Sequence, residues 1–294
     1  MITEKLILGT VQFGLDYGIN NQNGKTPEEK IQKILDEAFS RGIRILDTAE
    51  AYGDSQNRIG NYHKSSTNRF DVVTKFCAKE EVTQSFRISD HILKDIAILE
   101  VDRLYAYMFH SFSDFKNYFE HFKEELLEMR SIGKIQKIGV SIYTNEELQE
   151  VLDSSEIELI QLPYNLLDNH TQRFQILRQA KYKGVEIHTR SAFLQGLFFK
   201  PLSTLSGNLL NLQKDLERLN DFCESENIDM ATLALNYPMS KPYIDKVLIG
   251  VDTVEQLQQN IGAISSYKNT SLFEYIDQIA IENNKILNPS LWKV

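Results

Sequence analysis

The sequence predicts a closed barrel of eight parallel strands, each followed by a helix. Two observations predict this fold. Short runs typical of β-strands alternate with longer amphipathic segments along the whole chain of 294 residues. There are eight such runs, the number that closes as a (β/α)8 TIM barrel. The predicted strands are, in chain order, Leu6–Leu8, Ile43–Leu46, Phe70–Thr74, Leu104–Phe109, Lys137–Val140, Leu159–Leu162, Val185–Thr189 and Lys246–Ile249.

The segments between these strands carry helix signals. The first long helix is predicted to begin at Thr26, which acts as the cap, with Pro27 at the first helical position and acids in the first turn. Apolar side chains then recur at helical spacing until Gly42 ends the helix. Later helices are predicted at Phe115–Ile132, from Asn145 onward, at Gln172–Lys183 and at Thr253–Ala263.

An open, doubly wound sheet is the alternative fold. That fold needs a glycine-rich fingerprint between its first strand and first helix. Gly9, Gly14 and Gly18 do not have the GxGxxG spacing, and a long loop follows them. The closed barrel is therefore favoured.

We expect one domain over residues 1–294, with 265–294 forming a C-terminal helix and tail. The longest loops are predicted at Gly18–Lys25 and Lys200–Asn208. They follow strands one and seven, so both lie on the same side of the barrel. This side is where chemistry occurs in such barrels.

Composition narrows the class of protein. The net charge of -9 and the pI near 5.3 argue against non-specific nucleic-acid binding. We read no signal peptide and no apolar run long enough for a membrane span. Cys77 and Cys223 lack a CxxC spacing and are expected to be reduced thiols. These features predict a cytoplasmic protein.

Three polar residues come directly at the ends of predicted strands: Asp47, Lys75 and His110. Because alternate residues of a strand share a face, they are expected to point into the barrel mouth together. Burial of three such groups is costly unless they satisfy one another. Tyr52 follows Asp47 by five residues, in a turn that Gly53 closes.

This set suits proton transfer to a carbonyl oxygen. A free phenol titrates near pH ~10, and a neighbouring ammonium lowers that pKa. Lys75 is predicted to acidify Tyr52, the general acid, while Asp47 keeps Lys75 charged and His110 orients the carbonyl. The set has no hydride source, which implies a cofactor.

At these residues the chain resembles the aldo-keto reductase superfamily. The matching motifs run in order along nearly the whole chain: Leu8-Gly9-Thr10, Phe13-Gly14, Asp47-Thr48-Ala49, Tyr52-Gly53, Val73-Thr74-Lys75, His110-Ser111, Gly139-Val140-Ser141, Gln161, Ile249-Gly250, Leu257 and Asn260. The resemblance implies a (β/α)8 barrel that binds NADP(H) or NAD(H). It places Asp47, Tyr52, Lys75 and His110 at the four catalytic positions of the family.

The same resemblance implies a cofactor site. Ser141 and Gln161 would hydrogen-bond the nicotinamide carboxamide, and Arg190 stands where many members stack a tyrosine on the nicotinamide ring. A planar guanidinium can also stack. The full set of expected cofactor residues is Gly9, Thr10, Ser141, Gln161, Arg190, Gly250, Asp252, Gln256 and Asn260.

The chain departs from the family pattern at two places. Ile142 follows Ser141 where the family often has asparagine. Asp252 and Gln256 stand where members that bind a 2′-phosphate commonly carry basic residues. A carboxylate repels a phosphate and can accept hydrogen bonds from ribose hydroxyls. The departure predicts a weakened NADP preference and use of NAD.

Two other functions remain open at this point. The first is a nicotinamide-binding regulatory or redox-sensing protein of the same fold with little turnover. The second is a lyase that forms a Schiff base on Lys75, which the pairing with Asp47 disfavours. We expect a small-molecule carbonyl substrate, no metal, no nucleic-acid or membrane partner, and a monomer or small homo-oligomer. Trp292 is interpreted as a packing anchor of the tail, with contact to substrate as the alternative.

Overall fold

The eight predicted strands form a closed parallel barrel in the computed structural model, which describes residues 2–19, 21, 24–78, 82, 85–266 and 271–292. Each strand pairs with its neighbours in chain order, and β1 closes the barrel on β8. The strands are β1 Leu6–Gly9, β2 Ile45–Asp47, β3 Asp71–Phe76, β4 Ala106–Phe109, β5 Ile138–Ser141, β6 Leu159–Pro163, β7 Glu186–Arg190 and β8 Lys246–Gly250. The predicted fold class is confirmed.

The interior of the barrel is filled at mid-height by a small apolar cluster. Alternate residues of the strands point inward, and those that meet at the axis include Ile7, Ile45, Val73, Met108 and Leu159. The opposite faces of the strands pack against the surrounding helices in a second, larger core. The mid-level cluster separates a polar mouth from a polar floor.

The helices surround the barrel. The longest, α5, mixes charged and apolar residues over its 20 residues. In the part of the chain that the structure describes, no helix has both the length and the apolar character to cross a membrane. The helices are α1 Val11–Gly14, α2 Glu28–Ser40, α3 Ser55–Ser65, α4 Ile88–Leu99, α5 Phe112–Ser131, α6 Asn145–Leu152, α7 His170–Tyr182, α8 Gln213–Ser225, α9 Met230–Ser240, α10 Val254–Ser266 and α11 Phe273–Asp277.

The predicted cap of α2 is wrong. Pro27, rather than Thr26, occupies the cap position with extended backbone, and Glu28 begins the helix. The Thr26 hydroxyl is buried and has no hydrogen-bond partner among the described residues. The apolar stripe of the helix is as predicted, because Ile31 and Ile34 are buried. Each such side chain contributes roughly 1.5–3 kcal/mol when it leaves water.

The long connection between β7 and β8 is more ordered than a loop. The predicted loop Lys200–Asn208 contains a short 3-10 helix, Leu202–Thr204, and the start of another, Gly207–Leu212. The connection then continues through α8 and α9. Of the predicted loop Gly18–Lys25, residues 20, 22 and 23 lie outside the described residues.

The C-terminal segment continues past the barrel. The predicted boundary at residue 265 falls inside α10, which runs to Ser266, and residues 267–270 and 293–294 lie outside the described residues. The Trp292 indole donates to the carbonyl oxygen of Ile286 at 2.7 Å and packs against the core. This contact ties the end of the tail to a turn within the tail.

A polar cluster occupies the floor of the barrel, at the beginnings of β4, β5 and β7. Glu186 accepts hydrogen bonds from Tyr105 at 2.7 Å and from Lys137, and its carboxylate lies 2.6 Å from His188. Burial alone would raise the pKa of Glu186, but the hydrogen bonds from His188, Lys137 and Tyr105 hold it at about 2. The floor is thus closed by an ionised carboxylate with three partners.

We predict that Gly60→Ala destabilises the protein through the contact between α3 and α4. An added Cβ at Gly60 would lie 1.9 Å from the carbonyl oxygen of Ile98, so the two helices would have to separate. The expected loss in free energy of unfolding is about 1–3 kcal/mol or more. Urea denaturation followed by circular dichroism measures it.

Gly262→Ala is the matched control, since Gly262 lies in α10 and a Cβ there meets nothing within 4 Å. It should be neutral or stabilise by up to about 1 kcal/mol through helix propensity. Equal stability of the two variants would contradict the close approach of α3 and α4.

Candidate active site

A buried ion pair lies at the centre of the barrel mouth. The Lys75 ammonium donates to Asp47 Oδ1 at 2.6 Å and to the carbonyl oxygen of Thr48 at 3.0 Å. The other carboxylate oxygen of Asp47 accepts from the Gln161 amide at 2.7 Å. Asp47 and Lys75 are 2% and 1% exposed. Burial lowers the pKa of Lys75, and the adjacent carboxylate opposes this by favouring the ammonium.

Thr10, which directly follows β1, and Ser55 form a hydrogen-bond network with the backbone carbonyl of Asp47. The Thr10 hydroxyl and the Thr10 backbone N–H both donate to the carbonyl oxygen of Asp47 at 2.9 Å. Ser55, at the start of α3, donates to the Thr10 hydroxyl at 2.9 Å. The Thr10 side chain, expected to bind cofactor, is fully buried and engaged in this network.

The four residues predicted as catalytic meet at this mouth. Tyr52 and His110 lie edge to face, with ring centroids 5.6 Å apart. The Lys75 ammonium lies 5.2 Å from the centroid of the Tyr52 ring. Asp47 completes the set through its bond to Lys75. The parity of the strands therefore brings together residues that are up to 63 positions apart in the sequence.

The phenol of Tyr52 is not acidified as the sequence argument predicts. Burial, followed by the negative charge of Asp47, raises the pKa of Tyr52 above its ordinary value, while Arg190 opposes the shift. The two hydrogen bonds of the Lys75 ammonium go to Asp47 and to Thr48 rather than to the phenol. Tyr52 is consequently protonated at neutral pH, which is the form that a proton donor needs.

His110 is neutral at physiological pH. Burial and, after it, the positive charge of Lys75 lower its pKa to about 4. Its backbone N–H is fixed by a 2.9 Å hydrogen bond to the carbonyl oxygen of Phe76. Its Nδ1 is buried without a hydrogen-bond partner among the described residues. A neutral imidazole offers one donor and one acceptor, so it can hydrogen-bond a substrate oxygen.

Two tyrosines at the mouth were not found from the sequence. The Arg190 guanidinium lies over the ring of Tyr143, 4.2 Å from its centroid, and donates to the carbonyl oxygen of Ile142 at 3.3 Å. Tyr17 lies close enough to Tyr52 and Arg190 to interact with them electrostatically. For Tyr143 the available signal was its position two residues after the end of β5, whereas Tyr17 follows α1 and carries no such signal.

The loop that follows β7 is strained and meets the loop that follows β1. Ser191, Leu194 and Gln195 have positive φ angles of 60°, 46° and 53°, which non-glycine residues rarely adopt. The side-chain amide of Gln195 donates to the Tyr17 hydroxyl at 2.9 Å. The backbone carbonyl oxygen of Gln195 accepts from the backbone N–H of Ile19 at 3.4 Å. Such strain is frequent at ligand-binding loops.

The expected cofactor residues at the strand ends lie at two separate parts of the mouth. Ser141 ends β5 and pairs in register with Gln161 of β6. Gly9 and Gly250 pair where β1 and β8 end. A Cβ at Gly250 would lie 2.5 Å from the amide of Gln12, a buried residue that sequence reasoning missed.

The turn before α10 and the helix itself carry the remaining expected cofactor residues. Gln256 folds back, and its side-chain oxygen accepts from the backbone N–H of Asp252 at 2.7 Å. Asp252 Oδ1 is buried and lacks a hydrogen-bond partner among the described residues. Burial raises the pKa of Asp252, and the charge of Asp16 raises it further. Asn260 lies farther along α10.

Two glycines interlock beneath the loop that carries Tyr52. A Cβ at Gly14 would lie 1.7 Å from the carbonyl oxygen of Tyr52, and one at Gly53 would lie 2.4 Å from the carbonyl oxygen of Gly14. Gly53 also has φ 57°, in the left-handed region. The two backbones therefore touch directly, and this contact fixes the height of Tyr52 above β1.

Comparison with known proteins gives consistent matches over most of the chain. The model of the Aldo/keto reductase family matches residues 5–281. The uncharacterized oxidoreductase YrpG of Bacillus subtilis is 25% identical, over 94% of this chain and 91% of its own. The NADH-specific methylglyoxal reductase of Escherichia coli is 24% identical, over 80% of this chain and 82% of its own.

Among solved structures, the fold is similar to that of the aldo-keto reductase AKR11C1 from Bacillus halodurans in its holo form. The TM-score is 0.75 at 19% identity, and the match covers 96% of this chain and 95% of that one. A second structure, described as the putative aldo-keto reductase PA4992 from Pseudomonas aeruginosa, gives a TM-score of 0.63 at 20% identity, and the match covers 88% of this chain and 89% of that one. At these identities the likeness concerns the fold.

We predict that His110 does not titrate between pH 5.5 and 8, because burial and Lys75 keep its imidazole neutral. Nuclear magnetic resonance of histidine-labelled protein measures this, and loss of one signal in His110→Asn assigns it. A midpoint near the ordinary histidine value of about 6.5 would show that the ring is solvated.

Proposed function

Because the chain belongs to the aldo/keto reductase family and is an oxidoreductase, we propose that it reduces an aldehyde or ketone with hydride from a nicotinamide cofactor, NADH in preference to NADPH. One observation carries the proposal. A protonated phenol, Tyr52, and a neutral imidazole, His110, lie edge to face above the buried Lys75–Asp47 pair. This arrangement supplies a proton and a hydrogen bond to a single oxygen atom.

Each of the four side chains has a separate task in the proposed reaction. Tyr52 donates its hydroxyl proton to the carbonyl oxygen as that oxygen gains negative charge. His110 orients the carbonyl through a hydrogen bond. Lys75 stabilises the phenolate that remains, with Asp47 keeping the ammonium charged and in place. The nicotinamide cofactor, when bound, supplies the hydride.

The residues present fit such a cofactor. The orphaned acceptor at Asp252 is suited to a ribose hydroxyl, which is a donor. The backbone N–H groups that begin α10 can hold a phosphate oxygen. At the other end, Ser141 and Arg190 supply a hydroxyl and a planar cation beside Gln161, whose Nε2 is already bound to Asp47.

Charge at the turn before α10 supports the preference for NADH. Asp252 and Asp16 place two carboxylates near each other there, and each raises the cost of bringing a 2′-phosphate close. Gln256, in the first turn of α10, is uncharged. A relative of 24% identity is named an NADH-specific methylglyoxal reductase, which is consistent with this preference.

Tyr52→Phe should keep NADH binding and lose carbonyl reduction by at least about 10²-fold, the usual contribution of a positioned acid. Steady-state oxidation of NADH with a panel of aldehydes and ketones measures turnover, and quenching of tryptophan fluorescence measures binding. Tyr182→Phe is the matched control, since Tyr182 is 94% exposed on α7.

Undiminished turnover in Tyr52→Phe would refute its assignment as the acid. Tight NADH binding with no turnover of any carbonyl in the unmodified protein would favour the regulatory or redox-sensing function instead.

NADH should bind more tightly than NADPH, and Asp252→Asn should narrow the difference by about five- to tenfold. Removal of one negative charge at close range lowers the repulsion of the 2′-phosphate, while the asparagine oxygen can still accept from ribose. Calorimetric titration with both cofactors measures it. Asp153→Asn, at the exposed end of α6, is the control. A tighter NADPH complex in the unmodified protein would overturn the preference.

A further inference from the structure

A positive charge lies at the mouth of the barrel, where β7 ends. Arg190 is the last residue of β7 and pairs in register with Pro163 of β6. Its guanidinium donates to the carbonyl oxygen of Ile142 at 3.3 Å, and the Ile142 N–H donates to the carbonyl oxygen of Gln161 at 2.9 Å. The guanidinium therefore extends from the end of β7, across the end of β6, to the residue that follows β5.

An aromatic ring supports this guanidinium. The Arg190 Cζ lies 4.2 Å from the centroid of the Tyr143 ring, so the cation covers one face of the ring. The negative face of an aromatic ring attracts a cation, more strongly where water is excluded. A guanidinium is planar, so with one face on Tyr143 it can stack a second flat group on the other.

The backbone of Tyr143 is fixed at both of its polar groups. Its N–H donates to Glu147 Oε2 at 2.6 Å, and its carbonyl oxygen accepts from Arg173 Nη2 at 2.6 Å. Glu147 lies in the first turn of α6 and also accepts from the Thr144 N–H at 3.1 Å, as part of a capping box. The position of Tyr143 in the loop after β5 is therefore set by both α6 and α7.

Arg173 forms a second buried ion pair of the protein. It donates to the two carboxylate oxygens of Asp168 at 2.6 and 2.7 Å, and to Asn145 Oδ1 at 2.8 Å. Arg173 and Asp168 are 6% and 1% exposed. Because separation of a buried, bidentate pair leaves charges without partners, such a pair resists displacement. It keeps the carbonyl of Tyr143, and with it the support of Arg190, in place.

The charge of Arg190 reaches the residues that face the substrate carbonyl. Burial, followed by Asp47, raises the pKa of Tyr52, and Arg190 opposes that rise. Burial, followed by Lys75, lowers the pKa of His110, and Arg190 adds to the lowering. Hydride transfer needs the donor carbon within about 3–3.5 Å of the carbonyl carbon, whose oxygen contacts Tyr52 and His110 in the proposed reaction. A nicotinamide ring in that place lies within the field of Arg190.

The two redox forms of a nicotinamide cofactor differ in charge at this ring. The reduced ring is neutral, and the oxidised ring carries one positive charge. A guanidinium can stack on a neutral flat ring, whereas two like charges repel each other. The side chain at position 190 therefore acts on the two forms in opposite directions.

We propose that Arg190, held over the ring of Tyr143, is a specificity-determining residue that makes the mouth select the reduced nicotinamide over the oxidised one. This inference rests on the proposed function, since it takes the cofactor to be a nicotinamide dinucleotide. Tyr143 is a positioning residue, because its effect reaches the cofactor through Arg190. The oxidised product then competes weakly with the reduced cofactor, which suits a reductase that works where the oxidised form is in excess.

The ratio of the dissociation constants of the oxidised and the reduced dinucleotide tests the proposal. Calorimetric titration measures both constants, with NADH and NAD+ or with NADPH and NADP+, whichever pair the unmodified protein binds more tightly. Arg190→Met removes the charge and keeps a side chain of similar length. It should lower the ratio about tenfold, chiefly through tighter binding of the oxidised form.

Two control variants separate charge from packing. Arg190→Lys keeps the charge and should retain more of the ratio than Arg190→Met does. Arg178→Met removes a positive charge from the exposed surface of α7 and should leave the ratio as in the unmodified protein. A ratio that Arg190→Met leaves unchanged would overturn the proposal, and so would an equal fall in Arg178→Met.

The support from Tyr143 has its own test, which does not depend on the folding of Arg190→Met. Tyr143→Phe keeps the ring and should keep the ratio, whereas Tyr143→Leu removes the ring and should lower the ratio about threefold. Equal ratios in these two variants would show that the ring of Tyr143 does not position Arg190.

Nuclear magnetic resonance of arginine-labelled protein without cofactor gives a second readout of the same contact. The ring of Tyr143 should shift the Nε–H signal of Arg190 upfield, and loss of that signal in Arg190→Met assigns it. The shift should persist in Tyr143→Phe and disappear in Tyr143→Leu. An Arg190 signal at the same place in all three proteins would contradict the stacked arrangement.

A failure of this inference is distinguished from a failure of the proposed function. Binding of neither form of either dinucleotide to the unmodified protein would overturn both. Binding of both forms, with a ratio that is the same in Arg190→Met, would overturn this inference alone. In turnover assays, the inhibition constant of the oxidised form should fall about tenfold in Arg190→Met, with little change in KM for the reduced form.

Discussion

The buried ion pair of Asp47 and Lys75 is the constraint on which the rest of the mouth depends. Removing two charges from water is costly, and the cost is recovered only when hydrogen bonds satisfy both groups. Here Gln161 binds the second carboxylate oxygen, and the Thr48 carbonyl binds the ammonium. Strands β2, β3 and β6 must therefore keep their register, or a buried charge loses its partner.

On β3 and β4, side chains of consecutive residues point alternately to the inside and the outside of the barrel. Lys75 points inward to the mouth, and its neighbour Thr74 points outward to the helices. Met108 fills the interior, and its neighbour Tyr107 reaches outward to Glu50. One residue of offset is thus enough to place an ion pair on the inner side of the barrel wall and the hydrogen bond of Tyr107 to Glu50 on the outer side.

The sequence predicted the barrel and the four residues at its mouth because both depend on local patterns. Polar residues such as Asp47 and Lys75 stand at the C-terminal ends of apolar strands, and such strand ends meet at the mouth of a parallel barrel. In the structure the Lys75 ammonium lies 2.6 Å from the Asp47 carboxylate. The raised pKa of Tyr52 was missed, because it depends on burial and on where the donors of Lys75 are directed. The hydrogen bond of Tyr107 to Glu50 joins residues 57 positions apart, and Glu50 does not lie at a strand end. No periodic pattern in a single sequence reveals such a pair.

The interlocked glycines beneath Tyr52 restrict how this loop can change during evolution. Gly14 and Gly53 contact each other through backbone atoms, and glycine is already the smallest residue. A larger residue at one position cannot be offset by a smaller residue at the other, so the usual route of compensating substitutions is closed. A lineage that lost either glycine would have to rebuild the turn itself, and the carbonyl of Tyr52 would move with it. New specificities in this protein would therefore arise more readily in the loops after β1 and β7 than beneath the tyrosine.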